Sequence, residues 1–219
     1  MISIIIPVLN EELTIGKLLM QLSKVRSSET EVIVVDGGSL DNTIKMAHQF
    51  EGIHILSAPK GRALQMNAGA REAKGDKLFF LHADSIPSEE LIQNLTQIDV
   101  PAATFKLKFN RTNWLLSFYA WFTKFNFSIL TYGDQGLLID KQLFEKVGGY
   151  RKIPLLEDLD IIRRLNKEVK VKKYPFEVIT SSRRFDKHGV VWQQMKNILI
   201  VFGYYLGLSP HFLARFYKY

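Results

Sequence analysis

The sequence predicts an α/β domain with a mostly parallel sheet flanked by helices. Apolar runs at 2–6, 32–35 and 78–81 each end at a polar or turn-forming stretch, and a helical pattern follows each of them. Short continuous apolar runs are typical of strands buried on both faces of a parallel sheet. Strands that alternate with helices in this way form right-handed βαβ units. The chain has 219 residues, 47% of them hydrophobic, which is enough for one large domain with its own core.

The first hundred residues contain four strand patterns. Asn10-Glu11-Glu12 favours a helix start after the first strand. Asp36-Gly37-Gly38-Ser39 is a typical turn between a strand and a helix. The predicted elements are, in chain order, strand 2–6, a helix over about 11–25, strand 32–35, a helix through 47, strand 53–56, a helix from 61, strand 78–81 and a helix from 87 or 88.

The pattern changes beyond Pro101. Residues 103–109 alternate with period two, which predicts a strand with one wet, basic face. Residues 136–140 predict a further strand, and 157–165 predict a helix with acidic residues in its first turn. Apolar residues between 192 and 206 recur at helical spacing, which predicts a helical C-terminal extension.

Charge and cysteine content limit the partners and the chemistry. A formal net charge of +7 favours anionic partners such as nucleotide phosphates, nucleic acid or an acidic membrane surface. The chain has no cysteine, which excludes disulfides, thiolate nucleophiles and cysteine-ligated zinc. The N-terminus runs directly into a strand pattern without the features of a signal peptide. We therefore expect a cytoplasmic protein, with the inner face of the membrane as an alternative location.

Candidate binding residues follow the predicted strands. Pro7 to Glu12 and Asp36 to Ser39 both lie at strand ends that enter helices, where ligands collect in open α/β sheets. Their composition also fits ordinary turns. Gly61-Arg62 at a helix start can hold an anion with backbone N–H groups and a guanidinium, although Arg62 could equally lie on a solvated helix face.

Two further groups carry candidate metal and acid–base chemistry. His82 and Asp84 follow the fourth strand and can bind a divalent metal beside a polyphosphate; the alternative is that Asp84 only caps the next helix. Glu157, Asp158 and Asp160 repel one another, so that one of them can have a raised pKa suited to a general base. Their alternative role is to complement the helix dipole and to pair with Arg163 or Arg164.

The order and spacing of these motifs resemble family 2 glycosyltransferases with the GT-A fold, over about residues 1–165. The motifs that carry the resemblance are Ser3 to Glu12, Val34 to Thr43, Arg62 to Ala70, Leu81-His82-Ala83-Asp84, Gly133 to Gly136 and Glu157-Asp158. The tail, with Ser181 to Phe185 and Ser209-Pro210, is similar to a bacterial subgroup labelled arsenosugar-biosynthesis-like. The resemblance implies a GT-A domain over 1–185, with a nucleotide-sugar half at 1–100 and an acceptor half at 101–185, followed by a helical extension at 186–219.

The resemblance also implies a role for each matching residue. Asp158, with Glu157 beside it, would supply the catalytic base. Asp84 matches the second, metal-binding Asp of the family's DxD motif, and His82 stands where that motif has its first Asp. His188 is the candidate for a further metal ligand late in the chain. Gly133, Asp134 and Gln135 would shape the acceptor side. The donor and its metal would contact Pro7, Asn10, Glu12, Asp36, Gly37, Arg62, His82, Ala83 and Asp84.

The implied activity is that of a metal-dependent, inverting glycosyltransferase of the hexosyltransferase type. It would use a nucleotide sugar, expected to be a UDP-sugar, with Mn²⁺ or Mg²⁺ and an unidentified hydroxyl acceptor. One enzyme alternative is a sugar-phosphate nucleotidyltransferase, which usually has a glycine-rich signature where this chain has Pro7 to Glu12. A second alternative is a non-catalytic basic module that binds a membrane surface or nucleic acid; the acids at 157–160 argue against it, and no nucleic-acid partner is expected.

Two apolar stretches, 114–130 and 190–208, are too short or too interrupted to be clear membrane spans. They can be interfacial helices on an anionic membrane, in which case the acceptor could be lipid-linked. They can also be a helical cover over the sheet or a homodimer contact. Because amphipathic stripes are usually packing surfaces, we favour the cover or the dimer contact.

Overall fold

The computed structural model describes residues 1–24, 28–110, 133–181 and 189–217. The strands are β1 (Ile2–Val8), β2 (Thr30–Asp36), β3 (Ile53–Ser57), β4 (Lys77–Phe80), β5 (Ser85–Pro87), β6 (Ala102–Phe109), β7 (Leu137–Asp140) and β8 (Lys172–Thr180). The α-helices are α1 (Ile15–Lys24), α2 (Thr43–Ala47), α3 (Arg62–Glu72), α4 (Glu89–Asn94), α5 (Lys141–Lys146), α6 (Glu157–Glu168), α7 (Val190–Tyr205) and α8 (Pro210–Ala214). Two 3₁₀ turns cover Leu95–Gln97 and Gly133–Gln135.

The strands form one sheet in the order β3-β2-β1-β4-β7-β6-β8-β5. Its first four strands are parallel, as predicted from the apolar runs. All seven residues of β1 are buried, because helices cover both faces of the sheet. Val8 pairs with Asp36 and Ile5 with Phe80, so the carboxyl ends of β1, β2 and β4 lie at one rim. The predicted α/β fold class is therefore confirmed.

The other half of the sheet is mixed. β7 runs antiparallel to β4 and to β6, whereas β8 is parallel to β6 and antiparallel to β5. β8 and β5 were not predicted, because β8 carries lysines and Pro175, and β5 has only three residues. The pairing of β6 with β8 shifts register between Thr104 and Lys106, opposite the stretch that contains Pro175, which cannot donate a ladder hydrogen bond.

Two apolar layers enclose the sheet. On one side α1 and α4 pack over Ile4, Ile6 and Phe79. The apolar face of α1 is buried there and consists of Ile15, Leu18, Leu19 and Leu22. On the other side α3 and α6 pack over Ile5 and Phe80. α3 approaches β1 closely at Gly69, where an added Cβ would lie 2.5 Å from Ile5 Cγ2. Glycine at this position therefore allows α3 to pack closely against β1.

The C-terminal helices contact the domain through a small apolar cluster. Ile200 of α7 and Leu213 of α8 are buried together with Leu155, which precedes α6. None of the helices in the described ranges is both long enough and apolar enough to span a bilayer. The aromatic stretch at 114–130 and the predicted domain boundary at 185/186 lie outside the described residues, so the domain division stays a prediction.

Candidate active site

A cleft of about 680 Å³ opens at the rim where β1, β2 and β4 end. Its walls come from the loop after β1, the start of α3, the loop after β4 and the segment that leads into α6. The cleft lies where an open α/β sheet places its ligands, and its size is typical of a small-molecule site. The lining residues are Pro7, Val8, Leu9, Glu11, Lys60, Gly61, Arg62, Gln65, His82, Ala83, Asp84, Ile153, Pro154 and Glu157.

The loops after β1 and β2 are fastened to each other. Asn10 accepts a hydrogen bond from the Leu40 backbone N–H at 2.8 Å, and its own N–H donates to Ser39 Oγ at 2.9 Å. Glu12 accepts from the backbone and side chain of Asn42, both at 3.0 Å. Asp36 accepts from Ser39 Oγ at 2.6 Å. Asn10, Glu12 and Asp36 therefore shape this rim, while Pro7 and Glu11 line the cleft itself.

Gln65 is a site residue that the sequence analysis missed. Its side chain is buried, and its amide donates to the Val8 carbonyl at 2.7 Å and to the Val35 carbonyl at 2.8 Å. It thus joins the ends of β1 and β2 to α3. Gly37 is needed beside it, because an added Cβ would lie 2.9 Å from Gln65 Oε1. A glutamine in the middle of a helix gives no sequence signal for this contact.

His82 lies between two carboxylates. Its Nδ1 is 3.0 Å from Asp134 Oδ1, and its Nε2 is 3.8 Å from Asp158 Oδ2. The side chain is only 8% exposed. Burial and the Arg62 charge lower the His82 pKa, but the hydrogen bond with Asp134 and the charges of Asp158 and Asp134 outweigh them and leave it raised. The arrangement holds the imidazole in one orientation toward Asp158.

Arg62 faces the acids at the start of α6. Its Nη1 is 3.1 Å from Glu157 Oε1 and 3.7 Å from Asp158 Oδ2. Burial raises the pKa of Asp158 from 3.8 to about 6; Glu157 and Asp134 add to this, whereas His82 and Arg62 oppose it. A carboxyl with such a pKa is deprotonated at neutral pH and still accepts a proton readily, which is the property of a general base.

Within the described part of the chain, one group of side chains can hold a metal ion. His82, Asp84 and Asp134 each offer one ligand atom, and these atoms lie within 4.8 Å of one another. Carboxylate oxygens suit Mg²⁺ and Mn²⁺, and an imidazole nitrogen favours Mn²⁺ over Mg²⁺. The donor set therefore fits the predicted divalent metal. Asp134, predicted for the acceptor side, belongs to this group, and His188 lies outside the described residues.

Residues 3–140 match the sequence profile described as Glycosyl transferase family 2. The chain belongs to glycosyl transferase family 2. Among its curated relatives, the probable glycosyltransferase YdaM of Bacillus subtilis is 26% identical over 223 residues, covering 88% of this chain and 53% of that protein. The undecaprenyl-phosphate 4-deoxy-4-formamido-L-arabinose transferase of Proteus mirabilis is 36% identical over 101 residues, covering 41% of this chain and 31% of that protein. The chain thus spans about a third to a half of the length of these two relatives.

Solved glycosyltransferase structures confirm the predicted GT-A fold. The mannosyltransferase PcManGT of Pyrobaculum calidifontis, solved with GDP-Man and Mn²⁺, has a TM-score of 0.70 at 16% identity and covers 95% of this chain and 65% of its own. TarS of S. aureus, solved with UDP-GlcNAc, has a TM-score of 0.66 at 16% identity and covers 82% of this chain and 58% of its own. The arsenosugar-like subgroup stays a prediction.

In this glycosyl transferase family 2 chain, the three acids at the start of α6 lie in two different environments. They are Glu157, Asp158 and Asp160. Glu157 lines the cleft, and both Glu157 and Asp158 lie close to Arg62, at 3.1 Å and 3.7 Å. Asp160 instead pairs with Arg164 at 2.8 Å, as the alternative interpretation of the cluster predicted, and it accepts from Tyr204 of α7 at 3.3 Å. Only part of the cluster is therefore available for acid–base chemistry.

The structure does not support the alternative roles considered for Arg62 and Asp84, which were a solvated helix face and a helix cap. Arg62 is paired with acids and is not a solvated surface residue. The cap of α4 is Ser88, whose Oγ accepts from the Leu91 N–H at 3.2 Å. Asp84 lies before β5 and lines the cleft.

The charge of Asp158, whose side chain is only 16% exposed, should cost stability in the metal-free family 2 domain. Because the folded-state pKa is raised, the folded chain binds more protons than the unfolded chain between about pH 4 and pH 6. Stability then declines as the pH rises through this window, and the full penalty, about 1–3 kcal/mol, remains above pH 6. Asp158→Asn should raise the Tm at pH 8 by about 3–8 °C and change it little at pH 4. Thermal unfolding in a chelating buffer measures both; an equal difference at the two pH values contradicts the assignment.

Proposed function

We propose that this chain transfers a glycosyl group from a nucleotide-sugar donor to a hydroxyl acceptor by a single, inverting displacement. The observation that carries the proposal is the position of Asp158. A carboxyl with a raised pKa stands beside Arg62 and His82, and these two residues line the cleft where the parallel strands end. A base, a cation for a diphosphate and a candidate metal group thus meet at one place. Family membership supports the same activity.

The nucleotide end of the donor would occupy the rim formed by the loops after β1 and β2. Pro7 lines this part of the cleft, and Asn10 and Glu12 hold the loops in register. Asp36 would present its carboxylate to ribose or base hydroxyl and N–H groups, and Gly37 leaves its backbone accessible. The mutual hydrogen bonds of these loops support a preformed binding surface, which reduces the entropy lost on binding.

Arg62 would bind the diphosphate. In the structure its guanidinium is balanced by Glu157 and Asp158, which keep it at the cleft wall. A diphosphate brings more charge than either carboxylate, so Arg62 can turn toward it and retain the pair with Glu157. The negative charge that grows on the leaving group would then be stabilised by a preorganised cation. Glu157 acts here by positioning Arg62.

Asp158 would be the general base. As the acceptor oxygen forms its bond to the anomeric carbon, Asp158 takes the hydroxyl proton, and the bond from that carbon to the diphosphate oxygen breaks with its electron pair. One displacement of this kind inverts the configuration. His82, held by Asp134, keeps its Nε2 toward Asp158 and helps to fix the carboxylate.

A divalent metal would be held by Asp84, Asp134 and His82. When bound, Mn²⁺ or Mg²⁺ would neutralise the diphosphate charge and assist its departure. The close approach of three suitable ligand atoms supports this assignment. Gly133, Asp134 and Gln135 precede β7, which is antiparallel to β4, so this turn would border both the metal and the acceptor.

The donor and acceptor are assigned only by class. A UDP-sugar is the expected donor, and the neighbouring structures were solved with UDP-GlcNAc and with GDP-Man. The name of the Proteus relative includes undecaprenyl-phosphate. Lipid-linked compounds with a hydroxyl or phosphate group should therefore be among the acceptors that are tested. A cytoplasmic location, the domain division at 185/186 and a homodimer remain proposals of the same kind. No observation favours the nucleotidyltransferase or the nucleic-acid-binding alternative.

A binding screen tests the proposed function. Thermal unfolding with UDP, GDP and CDP, each with Mn²⁺ or Mg²⁺, should reveal one nucleotide that raises the Tm only with metal present. At a nucleotide concentration of about 100 times the Kd, binding should stabilise the folded chain by about 2.7 kcal/mol. Nucleotide sugars with that base should then release nucleoside diphosphate slowly by hydrolysis. No Tm increase with any of the nucleotides would contradict the proposal.

A further inference from the structure

The outward face of α7 is apolar along its whole length. Trp192, Met195, Leu199, Phe202 and Leu206 follow one another at intervals of three or four residues, which places them on one side of the helix. These side chains are between 51% and 69% exposed. The outward stripe is therefore not a cover of the sheet, which was one of the two interpretations favoured from the sequence. We name these five residues, together with Phe212 of α8 and Phe216 just beyond it, the tail surface.

The helix that carries the tail surface is already docked. Its inner side buries Ile200 and Val201, and Leu213 of α8 is buried against the same side. Tyr204 donates a hydrogen bond to Asp160, and its ring lies 5.9 Å from the Arg163 guanidinium carbon. One apolar side of α7 is thus packed against the domain, and the tail surface is a second apolar side that stays exposed.

Phe212 and Phe216 extend the tail surface beyond α7. Their rings contact each other edge to face, with centroids 5.2 Å apart, and they are 43% and 60% exposed. Together with α7 they form an apolar patch of the kind that marks an interaction site. Aromatic residues, Trp above all, prefer the boundary between lipid chains and headgroups, because their rings are apolar and their N–H or O–H groups are polar.

The charged side chains of the segment that carries the tail surface are all basic. From Lys187 to Tyr219 the sequence contains no aspartate or glutamate, whereas Lys196 and Arg215 lie on α7 and directly after α8. Lys196 stands over the Tyr217 ring at 5.1 Å, which keeps its ammonium beside the aromatic residues. Each such cation close to an anionic surface would strengthen binding to that surface by about 1 kcal/mol.

The charge distribution decides between two occupants. In a symmetric dimer the same patch meets itself, so Lys196 and Arg215 would face the same cations of the second copy without acids to compensate them. A bilayer that contains anionic lipids offers both apolar chains and negative headgroups. We propose that the tail surface binds the interface of an anionic lipid bilayer, with α7 lying parallel to the membrane plane. This inference does not depend on the proposed catalytic function.

A membrane bound to the tail surface would lie close to the candidate active site. α7 is bonded to α6 through Tyr204 and Asp160, and α6 begins with Glu157 and Asp158. A membrane bound to the outer side of α7 would therefore lie about one helix diameter beyond α6, roughly 10 Å. The site would be held close to compounds embedded in that membrane.

Vesicle co-sedimentation tests the inference. The full chain should bind vesicles of equal parts phosphatidylglycerol and phosphatidylcholine and should bind pure phosphatidylcholine vesicles far less. Raising the salt concentration from about 0.1 M to about 1 M should weaken the binding, because the Debye length falls from about 10 Å to about 3 Å. Leu199→Glu combined with Phe202→Glu should reduce binding by about tenfold or more, because it removes apolar contact and adds negative charge.

Met20→Glu is the matched control. Met20 lies on α1 and is 56% exposed, against 57% for Phe202. This variant adds a charge at an equally exposed helical position outside the tail surface, and it should bind vesicles as the wild type does. Circular dichroism and the Tm establish that all variants are folded. No binding to the anionic vesicles, or equal loss in both kinds of variant, would overturn the inference.

Tryptophan emission provides a readout that needs no charged substitution. Vesicles should shift the emission of the wild-type chain to shorter wavelength, and Trp192→Phe should remove a substantial part of that shift. An unchanged shift in Trp192→Phe would exclude insertion of the tail surface. A concentration-dependent dimer that dissociates in the Leu199→Glu, Phe202→Glu variant, without vesicle binding by the wild type, would identify a second copy as the occupant and overturn the inference.

Discussion

Asp158→Asn should lower the rate of sugar transfer by about 10²- to 10⁴-fold and leave donor affinity nearly unchanged. The amide has almost the same shape, but it cannot take the proton of the acceptor hydroxyl, and removal of a general base has effects of this size. Asp158 is 3.7 Å from Arg62, so Asn also leaves the guanidinium paired with Glu157. The measurements are kcat for transfer and the Kd of the nucleotide.

Asp160→Asn is the matched control for this prediction. Asp160 is a buried acid two residues further along the same helix, but it pairs with Arg164 and Arg151 and not with the cleft. Its substitution should lower the Tm, because it leaves those guanidinium groups less well compensated, while kcat of the folded enzyme stays within a few fold. If Asp158→Asn transfers sugar at a rate close to that of the wild type, Asp158 is not the base.

The parallel half of the fold could be predicted because its strands are short apolar runs. Residues 2–6, 32–35 and 78–81 are short apolar runs that end at turn-forming or polar residues, which is typical of strands in a sheet covered on both faces. Once these strands are parallel, their carboxyl ends share a rim, and the residues that follow them must be near one another. This reasoning correctly brought His82 and Asp84 together with Pro7 and its loop.

In the mixed half, β6 and β7 were predicted but the pairing of the strands was not, and the candidate metal group shows the consequence. Asp134 approaches His82 only because β7 runs antiparallel beside β4, and no local pattern specifies that pairing. β8 contributes to the same half, although its lysines and Pro175 lower its strand propensity. Gln65 was missed for a related reason, because its two carbonyl partners come from different strands.

Asp84→Ala and Asp134→Ala should each abolish the metal-dependent part of nucleotide binding. Each removes one of the three ligand atoms that lie within 4.8 Å of one another. At a nucleotide concentration of about 100 times the Kd, the wild type should gain about 5–10 °C in Tm with Mn²⁺, and the variants should retain only the metal-independent increase. Asp99→Ala, which removes a fully exposed acid, is the control. If Asp134→Ala keeps the full Mn²⁺-dependent increase, Asp134 serves only the acceptor side.

His82→Asp separates the two roles that the structure allows for His82. If the imidazole is a metal ligand, a carboxylate in its place should shift the preference from Mn²⁺ toward Mg²⁺, because the harder oxygen suits the harder ion. Without metal, the new carboxylate would face Asp134 and Asp158, so the metal-free Tm should fall and should recover when Mg²⁺ is added. If His82 only positions Asp158, the substitution should instead lower kcat without changing which metal supports nucleotide binding. Titrations with the two metals, followed by Tm and by transfer rate, distinguish these outcomes.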